Sequence, residues 1–199
     1  MISVGEVNQN KNHKVAIEAL SLCKTKNIHY IIAGVGNHVD EHLAFAHLCN
    51  VEDRVHFLGF RKDVYKILKA SDIFVFPSYR EGLSVALTEA MACGLPVVAA
   101  RIRGNIDLID EELGGFLCKP TDAKGIAMHI DTLAENPELR HKMGLYNYEK
   151  SKKYDKNIII RKLMNMILEQ VKKNDENTVE RKINIENNTK ETVGIKGDA

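Results

Sequence analysis

Tryptophan is absent from the 199-residue chain, and aromatic residues make up only 6% of it. A surface that binds single-stranded nucleic acid needs aromatic rings on which the bases stack, so this scarcity argues against one. An excess of charge of one sign is lacking too, because 28 basic residues face 27 acidic ones and leave a net charge of +1. Without a basic field to attract a phosphate backbone, we expect no nucleic-acid partner.

The chain also lacks an apolar run long enough to cross a bilayer, and no signal peptide opens it. Its four cysteines include no C-x-x-C pair and predict buried, free thiols of a reducing compartment. They are Cys23, Cys49, Cys93 and Cys118. We therefore expect a cytoplasmic protein, with peripheral contact at the inner face of a membrane left open.

A cluster of metal ligands is not evident either. The eight histidines are scattered, although His38 and His42 share a helix face at spacing i, i+4. Because no third ligand stands near them in sequence, they predict a surface pair rather than a metal site. We expect no metal and no prosthetic group.

What the chain does contain is a strand–loop–helix–strand pattern in residues 72–105. The apolar run Ile73–Phe76 is stopped by Pro77, which suits a strand buried on both faces of a parallel sheet. After a loop, small and apolar residues predict a helix over Ser84–Cys93. The apolar run Pro96–Ala100 then predicts a second strand, which completes a βαβ unit.

The ends of this unit place polar residues at one edge of the sheet. Ser84 can cap the helix and Gly94 can end it. Glu81 lies in the loop after the first strand, and Arg103 lies with Gly104 in the turn after the second. Ligands of parallel sheets bind beyond the carboxyl ends of the strands, where both loops are expected to lie.

Two carboxylates mark the unit, Glu81 in the loop and Glu89 eight residues further on in the helix. A carboxylate accepts two hydroxyl groups at once, so a ribose diol is a natural partner for either. The alternative is that Glu81 complements the helix dipole and Glu89 is merely solvated. Spacing alone leaves the two interpretations open.

Apolar and amphipathic runs predict further elements on both sides of the unit. The further strands are Met1–Gly5, His29–Ala33, Val55–Gly59 and Gly115–Cys118. The further helices are Asn12–Lys26, Val39–Asn50, Lys62–Ala70, a single turn at Ile106–Asp110, a helix capped by Thr121 or Asp122 that runs to Glu135, one that begins at Pro137, and Asp155–Lys173. This order predicts an α/β fold with a mostly parallel sheet and helices on both faces. Gly34-Val35-Gly36 is a weak nucleotide signal that a tight turn with positive φ explains.

The motifs of this chain resemble those of the retaining group 1 glycosyltransferases, also called family 4. The segments that carry the resemblance are Glu81-Gly82-Leu83, Glu89-Ala90-Met91-Ala92, Gly94, Pro96-Val97-Val98, Val4-Gly5, Lys11-Asn12-His13, Ala33-Gly34-Val35-Gly36, Val55-His56-Phe57-Leu58-Gly59 and Gly114-Gly115-Phe116-Leu117. Such enzymes have the GT-B fold, in which two Rossmann-like domains face each other across a cleft. The resemblance extends from about Ser3 to about Lys173 and covers only the C-terminal, nucleotide-sugar-binding half.

The resemblance implies roles for the residues around the phosphates and the sugar. Lys11 would grip the donor diphosphate together with the N–H groups at the start of the helix at Ser84. Glu81, with the main chain of Gly82 and Leu83, would orient the sugar ring. The family has an arginine near the position of Glu6, and an acid there cannot bind phosphate. Residue Arg103 is the candidate to replace that contact.

The resemblance also implies a nucleoside site. Glu89 would hold the ribose hydroxyls, and Gly59, Phe60 and Arg61 would border the base, although Phe60 could equally belong to the core. The resemblance implies a nucleotide-diphosphate sugar, UDP-linked, as the donor, and a saccharide or a lipid-linked saccharide as the acceptor.

We expect residues 1–173 to form the nucleotide-sugar-binding domain and residues 174–199, which are polar and lack periodicity, to form a disordered tail. The chain alone is expected to be inactive, because a GT-B enzyme needs an N-terminal acceptor domain or partner subunit that is missing here. A non-catalytic nucleotide-sugar-binding module is the alternative, and a sugar-nucleotide epimerase is a third option that fits the motifs less well.

Overall fold

Six parallel strands form one sheet in the computed structural model of the chain, which describes residues 1–171 and 173–174. The strands are β1 (Ile2–Val4), β2 (Tyr30–Ala33), β3 (Val55–Gly59), β4 (Phe74–Phe76), β5 (Val97–Ala100) and β6 (Gly115–Cys118). Their order is β3-β2-β1-β4-β5-β6, and each hydrogen-bonded neighbour is parallel. The predicted α/β fold with a Rossmann-like sheet is therefore confirmed.

The direction of the chain reverses between β1 and β4. From β1 it moves outward through β2 to β3, and from β4 it moves the other way through β5 to β6. In such sheets the loops on the two sides of the reversal diverge and leave a crevice at the carboxyl ends of the strands. Ile2 of β1 pairs with Phe74 of β4. The crevice therefore lies between the loops that follow these two strands.

Helices cover both faces of the sheet. They are α1 (His13–Leu22), α2 (Val39–Leu48), α3 (Val64–Lys69), α4 (Val85–Ala92), α5 (Arg103–Ile106), α6 (Ala123–Glu135) and α7 (Pro137–Ser151). Short 3-10 helices lie at Gln9–Lys11, Glu52–Arg54 and Lys152–Tyr154. Right-handed crossovers that run in opposite directions put α1 and α2 on one face and α4 on the other. Helix α6 packs against α1, and α7 packs against α4.

The core lies between the sheet and these helices. Every residue of β4 and β5 is buried, as the continuous apolar runs predict for strands covered on both faces. Cys23, Cys93 and Cys118 are buried free thiols as predicted, whereas Cys49 is only half-buried.

A chain of hydrogen bonds crosses the core beneath the crevice. The Ser3 hydroxyl donates to the carbonyl of Val75 at 2.5 Å and lies 2.7 Å from the Tyr30 hydroxyl, which lies 2.9 Å from Nδ1 of His13. Because the Val75 oxygen can only accept, Ser3 must donate to it, Tyr30 must donate to Ser3, and His13 must donate from Nδ1. This order fixes the neutral tautomer of a histidine that is 2% exposed.

Most predicted elements are present with shorter ends, and two differ for identifiable reasons. Helix α1 ends at Leu22 rather than Lys26, because the backbone N–H groups of Lys24 and Thr25 donate to the carboxylate of Asp131 at 2.8 and 3.0 Å.

The predicted turn at Ile106–Asp110 is wrong in position, since the helical turn α5 covers Arg103–Ile106 instead. The buried amide of Asn105 donates to the carbonyl of Ala100 at 2.8 Å and ties this turn to the end of β5.

The chain divides into two compact units, residues 1–152 and residues from 153 onward. In the second unit residues 156–171 are helical, which agrees with the predicted helix there. Its exposed apolar side chains are Ile158, Ile160, Leu163, Met164, Met166, Ile167, Leu168 and Val171. Residues 175–199 of the predicted tail lie outside the described residues, and the division at residue 173 stays a prediction. Within the described part, no helix has the length and apolar character that a bilayer crossing requires.

Candidate functional site

Three glycines let neighbouring loops touch at the carboxyl edge of the sheet. A Cβ atom on Gly34 would lie 1.7 Å from the carbonyl oxygen of Gly5, and one on Gly36 would lie 2.1 Å from that of Val7. A Cβ atom on Gly104 would lie 2.1 Å from the carbonyl oxygen of Gly82. The explanation of the Gly34–Gly36 pair by positive φ is wrong, because neither residue has it. Close backbone approach requires both glycines.

Lys11 and Glu81 form an ion pair across the crevice, although 70 residues separate them in sequence. The Lys11 Nζ atom lies 2.8 Å from Oε1 of Glu81, and the two side chains are 19% and 12% exposed. The same ammonium group lies 4.9 Å from the ring centre of Phe76. The lysine stem runs over Gly5, where an added Cβ would lie 3.1 Å from Cε of Lys11. The structure thus joins the two residues that the sequence assigns to phosphate and sugar.

Hydrogen bonds to backbone carbonyls hold together the two loops that carry this ion pair. The N–H of Tyr79 donates to the carbonyl of Asn10 at 2.8 Å, and the Asn10 amide donates to the carbonyl of Arg80 at 2.9 Å. The Asn12 amide donates to the carbonyls of Pro77 at 3.0 Å and of Pro120 at 2.8 Å. These hydrogen bonds, and not the ion pair alone, therefore fix the position of Lys11 against Glu81.

Asn12 itself adopts the left-handed conformation, with φ of 53° and ψ of 39°. Asparagine is among the few residues that tolerate this region, which is why it can stand between Lys11 and the start of α1. Sequence reasoning assigned no role to Asn12 or to Asn10, which bonds to the same loop after β4. Their partners lie 65 to 108 residues away in sequence, so no local signal reveals these bonds.

The start of α4 faces the same crevice as predicted. The Ser84 hydroxyl accepts a hydrogen bond from the N–H of Leu87 at 3.3 Å, so Ser84 is the N-cap, and Gly94 follows the helix with φ of +76°. First-turn N–H groups carry the positive end of the helix dipole. Gly82 and Leu83 are exposed before the cap, and a Cβ atom on Gly82 would meet nothing within 4 Å.

Glu89 and Arg103 are both exposed, and neither side chain makes a hydrogen bond or ion pair with the described residues. An acid on the apolar helix α4 is therefore solvated and available to a ligand. Arg103 begins the turn whose next residue, Gly104, contacts the carbonyls of Glu81 and Gly82. The structure brings the Arg103 turn to the Glu81 loop as predicted, while the functional roles of Glu89 and Arg103 stay predictions.

The residues assigned to the base lie farther away. They follow β3, which is separated from β4 by β2 and β1, or roughly 14 Å at about 4.8 Å per strand. Gly59 has φ of +64°, and Phe60 is 71% exposed, which rules out the alternative that Phe60 belongs to the core. Arg61 makes two hydrogen bonds of 2.8 Å to Asp63. Glu6 is exposed and accepts from the Asn8 amide at 2.9 Å.

The prediction of a surface histidine pair is wrong for His42, which is 2% exposed. Its ring packs edge-on against His13, His38 and Phe57, with centroids 5.9, 6.2 and 6.4 Å away. Burial lowers the pKa of His42 and keeps its imidazole neutral. Across residues 1–171 and 173–174, no three histidine, cysteine, aspartate or glutamate side chains are grouped so as to hold a metal ion.

A family model described as glycosyl transferases group 1 matches residues 1–150. The chain belongs to the group 1 glycosyltransferase family. With a parallel six-stranded sheet, it has the Rossmann-like fold of one half of a GT-B enzyme, as the resemblance in sequence implies.

Individual relatives agree with this assignment. The chain is 34% identical over 146 residues to the putative glycosyltransferase EpsD of Bacillus subtilis (strain 168), covering 72% of this chain and 38% of EpsD. It is 45% identical over 73 residues to an Escherichia coli UDP-Gal:alpha-D-GlcNAc-diphosphoundecaprenol alpha-1,3-galactosyltransferase, covering 37% of this chain and 19% of that enzyme. The crystal structure of Anabaena HepE in complex with UDP is similar with a TM-score of 0.79 and 25% identity, over 85% of this chain and 48% of HepE. The chain spans less than half the length of each.

Proposed function

We propose that this chain is the donor-binding half of a retaining glycosyltransferase. The enzyme would transfer a hexose-type sugar from a UDP-sugar to a saccharide or lipid-linked acceptor in polysaccharide or glycolipid synthesis. The observation that carries the proposal is the Lys11–Glu81 ion pair in the crevice between β1 and β4, beside the capped start of α4. The similar HepE structure contains UDP, and the E. coli relative is named for a UDP-linked donor and a lipid-linked acceptor.

The chemistry breaks the bond between the anomeric carbon and a diphosphate leaving group. Negative charge develops on that diphosphate, so a cation and backbone N–H groups at its position lower the barrier. Lys11 supplies the cation, and the first turn of α4 supplies N–H groups at a helix terminus that favours anions. Glu81, beside Lys11, accepts hydrogen bonds from sugar hydroxyls and orients the ring. This arrangement supplies charge stabilisation with no bound metal ion.

The nucleoside is held at two further places. Glu89 accepts hydrogen bonds from the two ribose hydroxyls. We assign it this role because its carboxylate is exposed and has no partner among the described residues. The exposed ring of Phe60 offers a face to the base, next to Gly59 and Arg61. Arg103, at the turn that contacts the Glu81 loop, supplies a second cation near the diphosphate.

Calorimetry with UDP and uridine tests these assignments together. Lys11→Met keeps the lysine stem over Phe76 and removes the charge, so it should weaken UDP binding and leave uridine binding unchanged. Glu89→Ala should weaken both ligands. A hydrogen bond to a charged group contributes about 1.5–3 kcal/mol, so each loss should be about ten- to a hundredfold. Excess EDTA should change neither affinity.

Two exposed residues outside the crevice provide matched controls. Lys152 pairs with Glu149 on the surface, and Glu138 lies in the first turn of α7. Lys152→Ala and Glu138→Ala should bind UDP as the unaltered chain does. Wild-type UDP affinity in both Lys11→Met and Glu89→Ala would show that UDP does not bind at these two residues.

A further inference from the structure

A cavity lies beside the β1 and β4 loops, next to the crevice, and has no role in the function proposed above. Its volume is about 420 Å³, and neither Lys11, Glu81 nor Glu89 lines it. The lining comes from the β1 loop (Asn8, Gln9 and Asn10), from the β4 loop (Tyr79 and Arg80) and from the α2 residue His42. Pockets that bind small molecules have volumes of about 300–1,000 Å³, so this one is large enough for a ligand of that class.

The buried histidine in the lining lacks hydrogen-bond partners. His42 is 2% exposed, and neither Nδ1 nor Nε2 has hydrogen-bond geometry to any atom of the described residues, although the His38 carbonyl is near enough to raise the pKa of the ring against the effect of burial. The Oδ1 atom of Asn10 is also buried and unpartnered. Buried polar atoms without partners are uncommon because each one loses its water without compensation. Both residues line the cavity, and a ligand with hydroxyl groups would satisfy them.

The chemistry of the lining favours a neutral, hydroxyl-rich ligand over an anion. The amides of Asn8 and Asn10 already donate to Glu6 and to the carbonyl of Arg80, and Asn8 Oδ1 accepts from the N–H of Lys11. The Gln9 amide and Asn10 Oδ1 remain for a ligand, and a neutral imidazole offers one donor and one acceptor. Lys14 and Glu41 also line the cavity, but their charges pair with each other at 2.6 Å.

Two more features match a sugar ring. Tyr79 is 46% exposed and presents an aromatic face, against which the apolar face of a sugar ring packs. Arg80, also exposed, makes no side-chain hydrogen bond or ion pair with the described residues and adds further donors. In the described lining, Arg80 is thus the one unpaired cation, and it stands among amides and the paired carboxylate of Glu41. Such a lining would bind an anion only weakly.

We propose that this cavity binds one saccharide unit of the acceptor, with Asn10 and His42 bonding its hydroxyls and Tyr79 packing on the ring. This inference rests on the proposed function, because only that function identifies the saccharide as part of the acceptor. The Asn10–Tyr79 backbone bond connects the cavity to the loops that carry Lys11 and Glu81. The donor domain would thus hold part of the acceptor beside the donor sugar.

The test is nuclear magnetic resonance of the imidazole groups during titration with methyl glycosides of galactose and N-acetylglucosamine. The ring signals of His38 and His42 should shift saturably for at least one glycoside, with a Kd on the order of millimolar for a single sugar unit. Tyr79→Ala keeps the backbone bond to Asn10 and should raise that Kd about three- to tenfold, the contribution expected of an aromatic contact. Tyr148→Ala removes a similarly exposed tyrosine, 43% exposed on α7, and should leave the Kd unchanged.

UDP binding, measured on the same samples, separates the two proposals. Tyr79→Ala should bind UDP normally, and Glu89→Ala should bind the glycoside normally. Absence of a saturable glycoside shift, with UDP binding intact, overturns the cavity proposal and leaves the donor site standing. A shift produced by inorganic phosphate while the glycosides are silent overturns it as well, because the cavity would then be an anion site.

Discussion

Glu6 is the residue at which this chain departs from the motif it otherwise matches. It lies in the loop after β1, is exposed, and bonds to the Asn8 amide. We predict that Glu6→Arg tightens UDP binding about tenfold while uridine affinity stays unchanged, because the added cation interacts only with the diphosphate. Glu6→Gln, which keeps an acceptor for Asn8 and removes the charge, should give a smaller gain. Equal changes for UDP and uridine, measured by calorimetry, would place Glu6 away from the phosphates.

At the residue scale, the sequence predicts roles for single residues, which stay predictions, but it does not reveal their contacts. Lys11 and Glu81 were assigned roles separately, and their ion pair follows only from a parallel sheet that sets the two loops side by side. For His42, helix periodicity predicts which face of α2 carries the residue. It does not predict that His13 and Phe57 pack against the ring and bury it. Nor does any spacing reveal that Asn10 bonds to a loop 70 residues away.

Elements were predictable where they depend on their own residues. The apolar runs of β4 and β5, the Ser84 cap and the start of α7 at Pro137 are local signals, and the structure contains all four. Ends that depend on distant partners were not predictable. The early end of α1 depends on Asp131, more than 100 residues away in sequence.

Helix α7 is joined to the sheet by one buried amide. The Asn147 amide donates to the carbonyls of Leu95 at 2.8 Å and Gly114 at 2.6 Å, just before β5 and β6, and the residue is fully buried. Asn147→Ala leaves the Leu95 carbonyl unpaired, whereas the Gly114 carbonyl still accepts from the N–H of Val97 at 3.2 Å. The substitution should lower the free energy of unfolding by about 2 kcal/mol. Urea denaturation measures the loss.

The exposed Asn27, with no bond to the described residues, supplies the matched control for that change. Asn27→Ala should alter stability by less than about 0.5 kcal/mol. UDP affinity of folded Asn147→Ala should match the unaltered chain, because α7 contributes nothing to the crevice. A stability loss no larger than that of Asn27→Ala would show that α7 docks without the amide.

The whole molecule should lose stability in mild acid because of a histidine in its core. Burial lowers the pKa of His13 from 6.5 to about 4. Between these values the unfolded chain binds a proton that the folded chain does not, so stability falls as pH drops from about 6.5 to about 4. The loss approaches about 3 kcal/mol over that window.

Chemical denaturation at a series of pH values measures this slope. His13→Gln retains an N–H donor for Tyr30 and removes the titration, so the slope between pH 6.5 and 4 should become shallower. A residual slope is expected from His42, whose pKa burial also lowers. An unchanged slope would mean that His13 titrates normally in the folded protein.

Transfer of sugar is expected only when a second domain closes the crevice. The described residues provide one Rossmann-like domain, and the relatives are more than twice as long as the part that this chain matches. A donor held at an open edge is left in water, without the orientation that closure gives. We predict that the purified chain binds UDP-sugars but transfers none to a lipid or sugar acceptor panel until an N-terminal acceptor domain is co-expressed. Robust transfer by the chain alone would refute this prediction.

In the empty crevice, Glu81 competes with any anionic ligand for the ammonium group of Lys11. Before any ligand arrives, the carboxylate already occupies the cation that a phosphate would need. A small anion such as inorganic phosphate gains Lys11 but leaves Glu81, 12% exposed, facing new negative charge. If Lys11 and Glu81 have the proposed roles, a nucleotide sugar would supply phosphate to the lysine and hydroxyl groups to the carboxylate, and so replace what both partners give up. Selectivity for the intact donor over its fragments would then come from an interaction that exists only while the site is empty.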